Sequence, residues 1–248
     1  MKKILITGGS TNEPVDEVMR LITFGSGGTS VKLGNLFHEA GWQVTMILNI
    51  LVSDHALPKD DRMRIVRVET TQEMMDAIEA ESKADHYDAV LHASAVNDYK
   101  PEFEFLMEDL AKEIFDKMDS IKSADDILAI MTDPECKLDN TSKISSYQEN
   151  LTIKLGLTPK IISNLRGWFP DSKIFGFKLL ENVTEEHLLE VAQKLCAKND
   201  VDFILANDLA KLRAGDATRR PVTKDGFTGI LLPELEDIQK FVEEQTDK

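Results

Sequence analysis

Residues Asp88 to Pro101, DAVLHASAVNDYKP, decide how the rest of the chain is read. An apolar run, then small residues, then a polar turn closed by proline describes a buried strand that stops at a functional edge. In an open α/β sheet, ligands sit beyond the carboxyl ends of parallel strands, which places Asn97, Asp98 and Tyr99 where chemistry is usually found. Position alone does not name the ligand.

Working outward toward the N-terminus, Thr70 or Thr71 with Glu73 opens a helix to about Ser82 on an apolar face of Met74, Met75 and Ile78. Met63 to Val68 alternates polar and apolar residues and suits a strand near a sheet edge. Trp42 to Asn49 is another strand, resuming after Gly41 ends a helix carried by Val31, Leu33, Leu36, Phe37 and Ala40. Ile4 to Thr7 is the first strand. Its alternation with helices predicts a largely parallel sheet with right-handed crossovers. Two glycine-rich stretches punctuate the pattern. Gly8-Gly9, followed by Ser10, Thr11 and Asn12, lets backbone N–H groups approach a phosphate or ribose, although a tight turn without a ligand has the same pattern. The glycines do not form G-x-G-x-x-G. Thr23 to Ser30, TFGSGGTS, sets hydroxyls beside a helix start, which suits an anion; a flexible linker is the other reading. Between them, Glu13 to Ile22 carries Arg20 as a short helix or extended loop.

On the C-terminal side, Glu102 to Asp139 is acidic and reads as helical, with Phe103, Phe105, Leu106, Leu110, Ile114 and Met118 on its apolar face. Thr141 to Ser146 and Leu151 to Leu155, around Tyr147 to Asn150, predict a β-hairpin flap. Thr158 is expected to cap a helix with Pro159 in its first position, running to Arg166. Lys173 to Leu180 is a strand in which Gly176 permits close approach. Thr184 opens a helix to about Lys198, where Lys194 and Lys198 share a face suited to a polyanion or simply to water. Phe203 to Asp208 repeats the pattern of strand and polar edge. A hairpin about Lys224-Asp225-Gly226 and a helix from Pro233 to Glu244 close the chain.

The length of 248 residues suits a single α/β domain over 1–248, with a helical excursion at about 102–140 and the flap at about 141–156. No apolar run reaches membrane-spanning length, and MKKILITGG reads as a first strand rather than a leader. Cys136 and Cys196 lack metal-ligand spacing and make no disulfide framework, so a cytoplasmic location is expected. A formal net charge of −15, from 29 basic and 44 acidic residues, argues against nucleic acid and anionic membranes as partners. Much of that charge also serves as ordinary solvated surface. An anionic substrate would need a local cluster of basic residues or a divalent cation. The scattered histidines offer no Ser/His/Asp triad, and the P-loop and kinase signatures are missing. Strand ends and loops able to hold a nucleotide, with lysines to offset charge, support a phosphate-handling α/β enzyme.

Six segments in chain order resemble one family: Ile6 to Pro14, Ser94 to Pro101, Lys143 to Ser146, Leu157 to Ile162, Gly176 to Lys178 and Ala206 to Asp208. The family is phosphopantothenoylcysteine synthetase (phosphopantothenate-cysteine ligase), in its short form without the flavin decarboxylase half. The resemblance implies a Rossmann-like three-layer α/β fold with a mostly parallel central sheet and a projecting β-hairpin flap, no flavin, and a homodimer. It also implies a reaction in which CTP or ATP activates 4'-phosphopantothenate as an acyl-nucleotidylate that L-cysteine attacks, with Mg²⁺ and Lys143 offsetting charge. The implied nucleotide site takes Gly8, Gly9, His92, Ala93, Ser94, Asp98, Pro159, Lys160, Ile161, Ile162, a stacking Phe177, Lys194, Lys198 and Asn207. Arg20, Thr23, Ser26 and Gly27 match the segment that holds phosphopantothenate, and no side chain is implied as a metal ligand. Where the family's loop usually carries Asn, this chain has Thr23 or Phe24. That departure keeps open a nucleotide-binding relative that does not ligate or takes another acceptor. A nicotinamide-dependent reductase, suggested by Ile6-Thr7-Gly8-Gly9-Ser10, lacks both G-x-G-x-x-G and a Tyr-x-x-x-Lys pair.

Overall fold

Short β-branched and apolar runs alternate with amphipathic helices throughout the computed structural model, which describes residues 1–247. In chain order the strands are β1 (Lys3–Gly8), β2 (Asn12–Pro14), β3 (Arg20–Ile22), β4 (Gln43–Asn49), β5 (Met63–Val68), β6 (Ala89–His92), β7 (Tyr99–Leu106), β8 (Leu151–Leu157), β9 (Lys173–Leu180), β10 (Phe203–Asp208), β11 (Arg220–Thr223) and β12 (Gly226–Phe227). The helices are α1 (Gly28–Glu39), α2 (Thr71–Ala84), α3 (Met107–Asp116), α4 (Ala124–Thr132), α5 (Leu165–Trp168), α6 (Glu185–Asn199), α7 (Leu209–Arg213) and α8 (Leu235–Thr246). The chain divides into a larger unit of Met1–Thr11, Phe24–Val96 and Lys160–Lys248, and a smaller one of Asn12–Thr23 and Asn97–Pro159.

In the larger unit one sheet runs β12-β11-β10-β9-β6-β1-β4-β5. The strands from β10 to β5 pair in parallel, and the β11–β12 hairpin adds antiparallel strands at the far edge. The period of two along each strand feeds both faces. Ile4 and Ile6 enter a core with Phe37 of α1 and Phe241 of α8, while Leu5 enters one with Ile78 of α2 and Leu188 of α6. This is the expected three-layer Rossmann-like α/β arrangement. From β1 the chain first winds outward to β4 and β5, then returns to build β6, β9 and β10 on the other side. The switch in direction falls between β1 and β6, where open α/β sheets have their ligand crevice. Thr70 caps α2 and Thr184 caps α6, each accepting a hydrogen bond from the third residue onward. Among the described residues no helix is long and apolar enough to cross a membrane.

The smaller unit corrects several expectations. Residues 99–106, of which 102–106 were expected to be helical, form β7, and β8 pairs with β7 in antiparallel rather than with Thr141–Ser146. The hairpin expected within 141–156 therefore has its first strand about forty residues earlier, and 141–150 contains no strand. Phe103, Leu106 and Leu110 fit a helical spacing while Phe103 and Phe105 fit alternation, so one run satisfied both periods. Burial resolved the ambiguity: Phe103, Phe105 and Leu110 make a small core with Ile114 and Ile130 of α3 and α4. By contrast Thr141 to Ser146 is rich in hydroxyls and, apart from Ile144, exposed, so it has little to bury as a strand. Glu13 to Ile22 is neither helix nor loop throughout; β2 and β3 pair across a turn closed by Asp16. Thr158 does not cap a helix. Its hydroxyl donates to the Asn97 carbonyl, and the next helical turns start only at Ile161 and Leu165.

On β7, Glu104 is fully buried between those two phenylalanines. Its Oε2 accepts from Asn140 Nδ2 at 3.0 Å while Oε1 has no hydrogen-bond partner among the described residues, and burial pushes its carboxyl up from the ordinary range.

Candidate functional site

In the larger unit one rung of the sheet carries the site. Ile47, Thr7, His92, Gly176 and Ile204 lie side by side across β4, β1, β6, β9 and β10. Just past it, β1 runs out through Gly8-Gly9 and β6 through Ala93-Ser94. The two exits stay joined: Ala95 N donates to Gly9 O at 2.9 Å, and Thr11 N donates to Ala95 O at 3.2 Å. Gly9 has φ +87°, and a Cβ there would lie 2.5 Å from Val52 Cγ2, so glycine is required for both backbone and space. The expected start of α1 is also present. Gly27 precedes it at φ +73°, no side chain caps it, and its first turn holds no acid. Its free N–H groups and positive dipole end therefore remain for an anion. Ser26 is exposed, its hydroxyl accepting weakly from Gly28 N at 3.4 Å.

His92 is buried and strongly oriented. Thr7 Oγ1 accepts from Ser94 N at 3.3 Å and lies in hydrogen-bond contact with His92 Nδ1, 2.9 Å away. In the tautomer whose Nδ1 accepts from that hydroxyl, Nε2 carries the proton and can donate to a ligand. Burial pushes the imidazole down to about 4 from 6.5, so the ring is neutral at physiological pH. A histidine depressed in the folded state binds its proton more readily when unfolded, so stability falls as pH drops from about 6.5 to about 4. Chemical denaturation at pH 7.5 and pH 5 is expected to show a smaller loss for His92→Gln than for the native protein; an equal loss assigns the acid sensitivity elsewhere. Beside His92, Ser94 Oγ is buried without a hydrogen-bond partner among the described residues.

Other expected residues are placed unevenly. Ile161 is 2% exposed and belongs to the core, while Ile162 reaches over Gly176, where a Cβ would lie 3.1 Å from Ile162 Cδ1. Phe177 faces the opposite side of the sheet and packs into the core under α1 and α8. Lys160 is exposed, and Asn207 is buried at the carboxyl end of β10. Lys194 and Lys198 do not join the rung. Helix α6 leaves the carboxyl end of β9 and returns to the amino end of β10, so its last turns, which carry both lysines, lie at the far end of the sheet. Lys194 pairs with Glu190 at 2.5 Å. Spacing of four reports a shared helix face but not which end of the sheet it meets. A cation that residue reasoning passed over is Lys178, half-buried on β9 without a carboxylate partner among the described residues. Alternation along Gly176-Phe177-Lys178 places it on the side of Gly176 and could have found it.

In the smaller unit, Asn97 organises the loops. It is 5% exposed; its Nδ2 donates to Leu21 O at 3.0 Å, its Oδ1 accepts from the Thr23 hydroxyl and its carbonyl from the Thr158 hydroxyl. Asp98 is exposed, with its carbonyl accepting from Thr158 N at 3.1 Å, and Pro159 follows. Asp16 was not anticipated. Its Oδ1 accepts from Val18 N and Met19 N at 2.7 and 2.6 Å, its Oδ2 from Ile144 N at 2.8 Å, and its carbonyl from Arg20 Nη1 at 2.7 Å. Backbone donors, first Met19 and then Ile144, hold its carboxyl below the usual range. One side chain thus connects the turn bearing Arg20 to the loop bearing Lys143, which is itself exposed. An aspartate just before a turn is the signal that sequence offered. Among the described residues no group of three His, Cys, Asp or Glu side chains is arranged for a metal.

Comparison with known proteins sets this geometry in context. The bifunctional coenzyme A biosynthesis protein CoaBC of Thermococcus kodakarensis is 28% identical over 208 residues, covering 84% of this chain and 41% of that protein. The chain thus spans about two-fifths of the length of that curated relative. The crystal structure of the DNA/pantothenate metabolism flavoprotein from Streptococcus pneumoniae superposes with a TM-score of 0.78 at 27% identity, covering 100% of this chain and 99% of that one. Cab2 mutant H337A in complex with phosphopantothenate-cysteine shares the fold, with a TM-score of 0.69 at 15% identity over 99% of this chain and 86% of that one. The family model described as the DNA/pantothenate metabolism flavoprotein C-terminal domain matches residues 1–135, more than half of the 248. With the strand order, the glycine exits and the resemblance along the chain all in agreement, this protein belongs to the DNA/pantothenate metabolism flavoprotein C-terminal domain family.

Proposed function

We propose that this protein is a phosphopantothenate-cysteine ligase: CTP or ATP activates the carboxylate of 4'-phosphopantothenate as an acyl-nucleotidylate, and the amine of L-cysteine displaces the nucleoside monophosphate to form the amide. The observation that carries the reading is the crevice at the β1/β6 switch point, where the uncapped, acid-free start of α1 and the Gly8-Gly9 exit flank a neutral His92 donor. A phosphate is favoured at such a helix start despite a net charge of −15. The Nε2–H of His92 and the half-buried Lys178 suit ribose and phosphate oxygens. Relatives named for coenzyme A biosynthesis, and a fold neighbour crystallised with phosphopantothenate-cysteine, support the choice of substrates.

Mg²⁺ enters this reading on the phosphates. Such ions keep several waters and are held by substrate phosphates with one or two carboxylates at most. Asp208, at the carboxyl end of β10, already accepts from Val183 N, Ala210 N and Lys211 N, so it is engaged as a cap. The reaction moves no electrons between carriers, so it needs no flavin. A cytoplasmic homodimer completes the proposal: the smaller unit exposes Val18, Ile22, Tyr147 and Leu157, apolar surface that a second copy would cover. A monomer by sedimentation at assay concentration would exclude it.

The deciding assay is pyrophosphate release with 4'-phosphopantothenate, Mg²⁺ and either CTP or ATP, with and without L-cysteine. Release is expected to require phosphopantothenate and to become sustained with cysteine. No release with either nucleotide removes the ligase reading. One observation favours a second reading, a nucleotide-binding relative that does not ligate: of Thr23 and Phe24, the two residues that match the family's Asn, Thr23 has its hydroxyl committed to Asn97 and Phe24 has no side-chain amide to offer. CTP binding without pyrophosphate release would select it.

A further inference from the structure

A cavity of about 650 Å³ in the larger unit lies between α1, the start of α8 and the residues before β11. Arg219 lines it and is only 7% exposed. Its Nη1 donates to Ala217 O at 2.8 Å, and no carboxylate of the described residues pairs with it. A buried guanidinium in that condition is costly, because charge removed from water is normally compensated by a partner. Three further donors converge on the same space from α1. Thr29, Lys32 and Asn35 make no side-chain hydrogen bond to the described residues, and the first turn of α1 adds no acid. The opposing charges are Glu234 and Glu236. Glu234 is exposed and its carboxylate is occupied in capping α8, and Glu236 is an exposed residue of that helix's first turn. Burial lowers the pKa of Arg219 from its ordinary value, and the nearby charge of Glu234 offsets only part of that.

We propose that this cavity binds a small phosphoryl-bearing molecule through Arg219, Lys32, Thr29 and Asn35. A guanidinium fork, an ammonium, a hydroxyl and an amide offer more donors than the two oxygens of a carboxylate can use, whereas a phosphoryl group presents three oxygens to several sides. The cavity is also larger than a lone inorganic ion requires. The cavity shares Gly28 and Thr29 with the helix start that flanks the β1/β6 crevice, but none of Gly8, Gly9, His92, Ser94 and Lys178 lines it, so variants at Lys32 and Lys178 separate the two sites.

Thermal unfolding with pyrophosphate, malonate or sodium chloride at matched ionic strength tests it. Pyrophosphate is expected to raise the Tm of the native protein by about 3 °C or more beyond the other two at near-saturating concentration. Lys32→Glu, at an exposed position, is expected to lose most of that increment, and Lys178→Ala in the crevice to keep it. Arg219→Met is expected to lose the increment while matching or exceeding the native Tm without anion, since an apolar side chain relieves an uncompensated buried charge. An increment equal for pyrophosphate and malonate would overturn the proposal. So would one retained in Lys32→Glu and lost in Lys178→Ala, or an Arg219→Met protein that is less stable yet responds fully to pyrophosphate.

Discussion

Lys143→Ala is expected to slow phosphopantothenate-dependent pyrophosphate release by about 10²- to 10³-fold, with the KM for nucleotide changed by less than about threefold. Attack of a carboxylate on an α-phosphate brings two anions together, and the charge that must be met appears at phosphorus only as the bond forms. A cation acting there stabilises the transition state more than the bound nucleotide, so its loss falls on kcat. Lys143 is equipped for this in one respect that many surface lysines of this protein are not. It is exposed and, among the described residues, without a carboxylate partner, while Lys83, Lys117, Lys137, Lys154 and Lys194 are each held in ion pairs. Its neighbour Ile144 is buried and tied through its N–H to Asp16, so the backbone is fixed where the side chain is free. Lys143→Arg should recover only part of the rate, because a planar fork does not replace a compact ammonium charge. A decrease of less than about threefold in Lys143→Ala would make this lysine an ordinary solvated loop residue and move the search for the cation to Lys178.

What could be read in advance followed from how strongly local pattern constrains structure. The parallel sheet was legible because Ile4 to Thr7, Trp42 to Asn49 and Phe203 to Asp208 are short apolar runs bounded by glycine or polar turns, and each proved to be a strand within one residue or so of its expected limits. The crevice was legible for a related reason: glycine at Gly9 and Gly27 answers to a positive φ and a crowded neighbour, which few other residues tolerate. The smaller unit was harder. β7 and β8 are separated by more than forty residues, and a pairing that distant leaves no turn signal between its strands. Asn97 and Asp16 act through hydrogen bonds to Leu21 and Ile144, partners that no spacing rule connects to them. Lys194 and Lys198 show the complementary limit of local pattern. Helical periodicity placed them correctly on one face, yet the direction of α6 carries that face away from the strand exits.

Gly8→Ala is expected to destabilise the protein by about 1–3 kcal/mol and to raise the KM for nucleotide, although a single methyl is added. A Cβ at Gly8 would stand 2.5 Å from Ser30 Cβ, 2.7 Å from Ser30 Oγ and 2.8 Å from Leu48 Cδ2. The Leu48 methyl is the end of a flexible side chain and can yield. Ser30 cannot yield so easily, because it sits in the first turn of α1 with its hydroxyl donating to Thr7 O at 3.0 Å. Relief must therefore come from moving the start of α1 away from the Gly8-Gly9 exit, which weakens both the packing under that helix and the anion site at its N-terminus. Gly167→Ala is the matched control: nothing lies within 4 Å of a Cβ there, and its backbone is helical, so alanine should be neutral or stabilising by up to about 1 kcal/mol. The contact itself is isolated by a double-mutant cycle with Ser30→Gly, which removes the nearest obstructing atoms while sacrificing the bond to Thr7 and some helix propensity. If the clash is the cause, Gly8→Ala costs less in the Ser30→Gly background than in the native one, and the KM for nucleotide moves back toward its native value. Strictly additive effects would show that α1 does not meet Gly8 as closely as described, and the link between this glycine and the anion site would be lost with it.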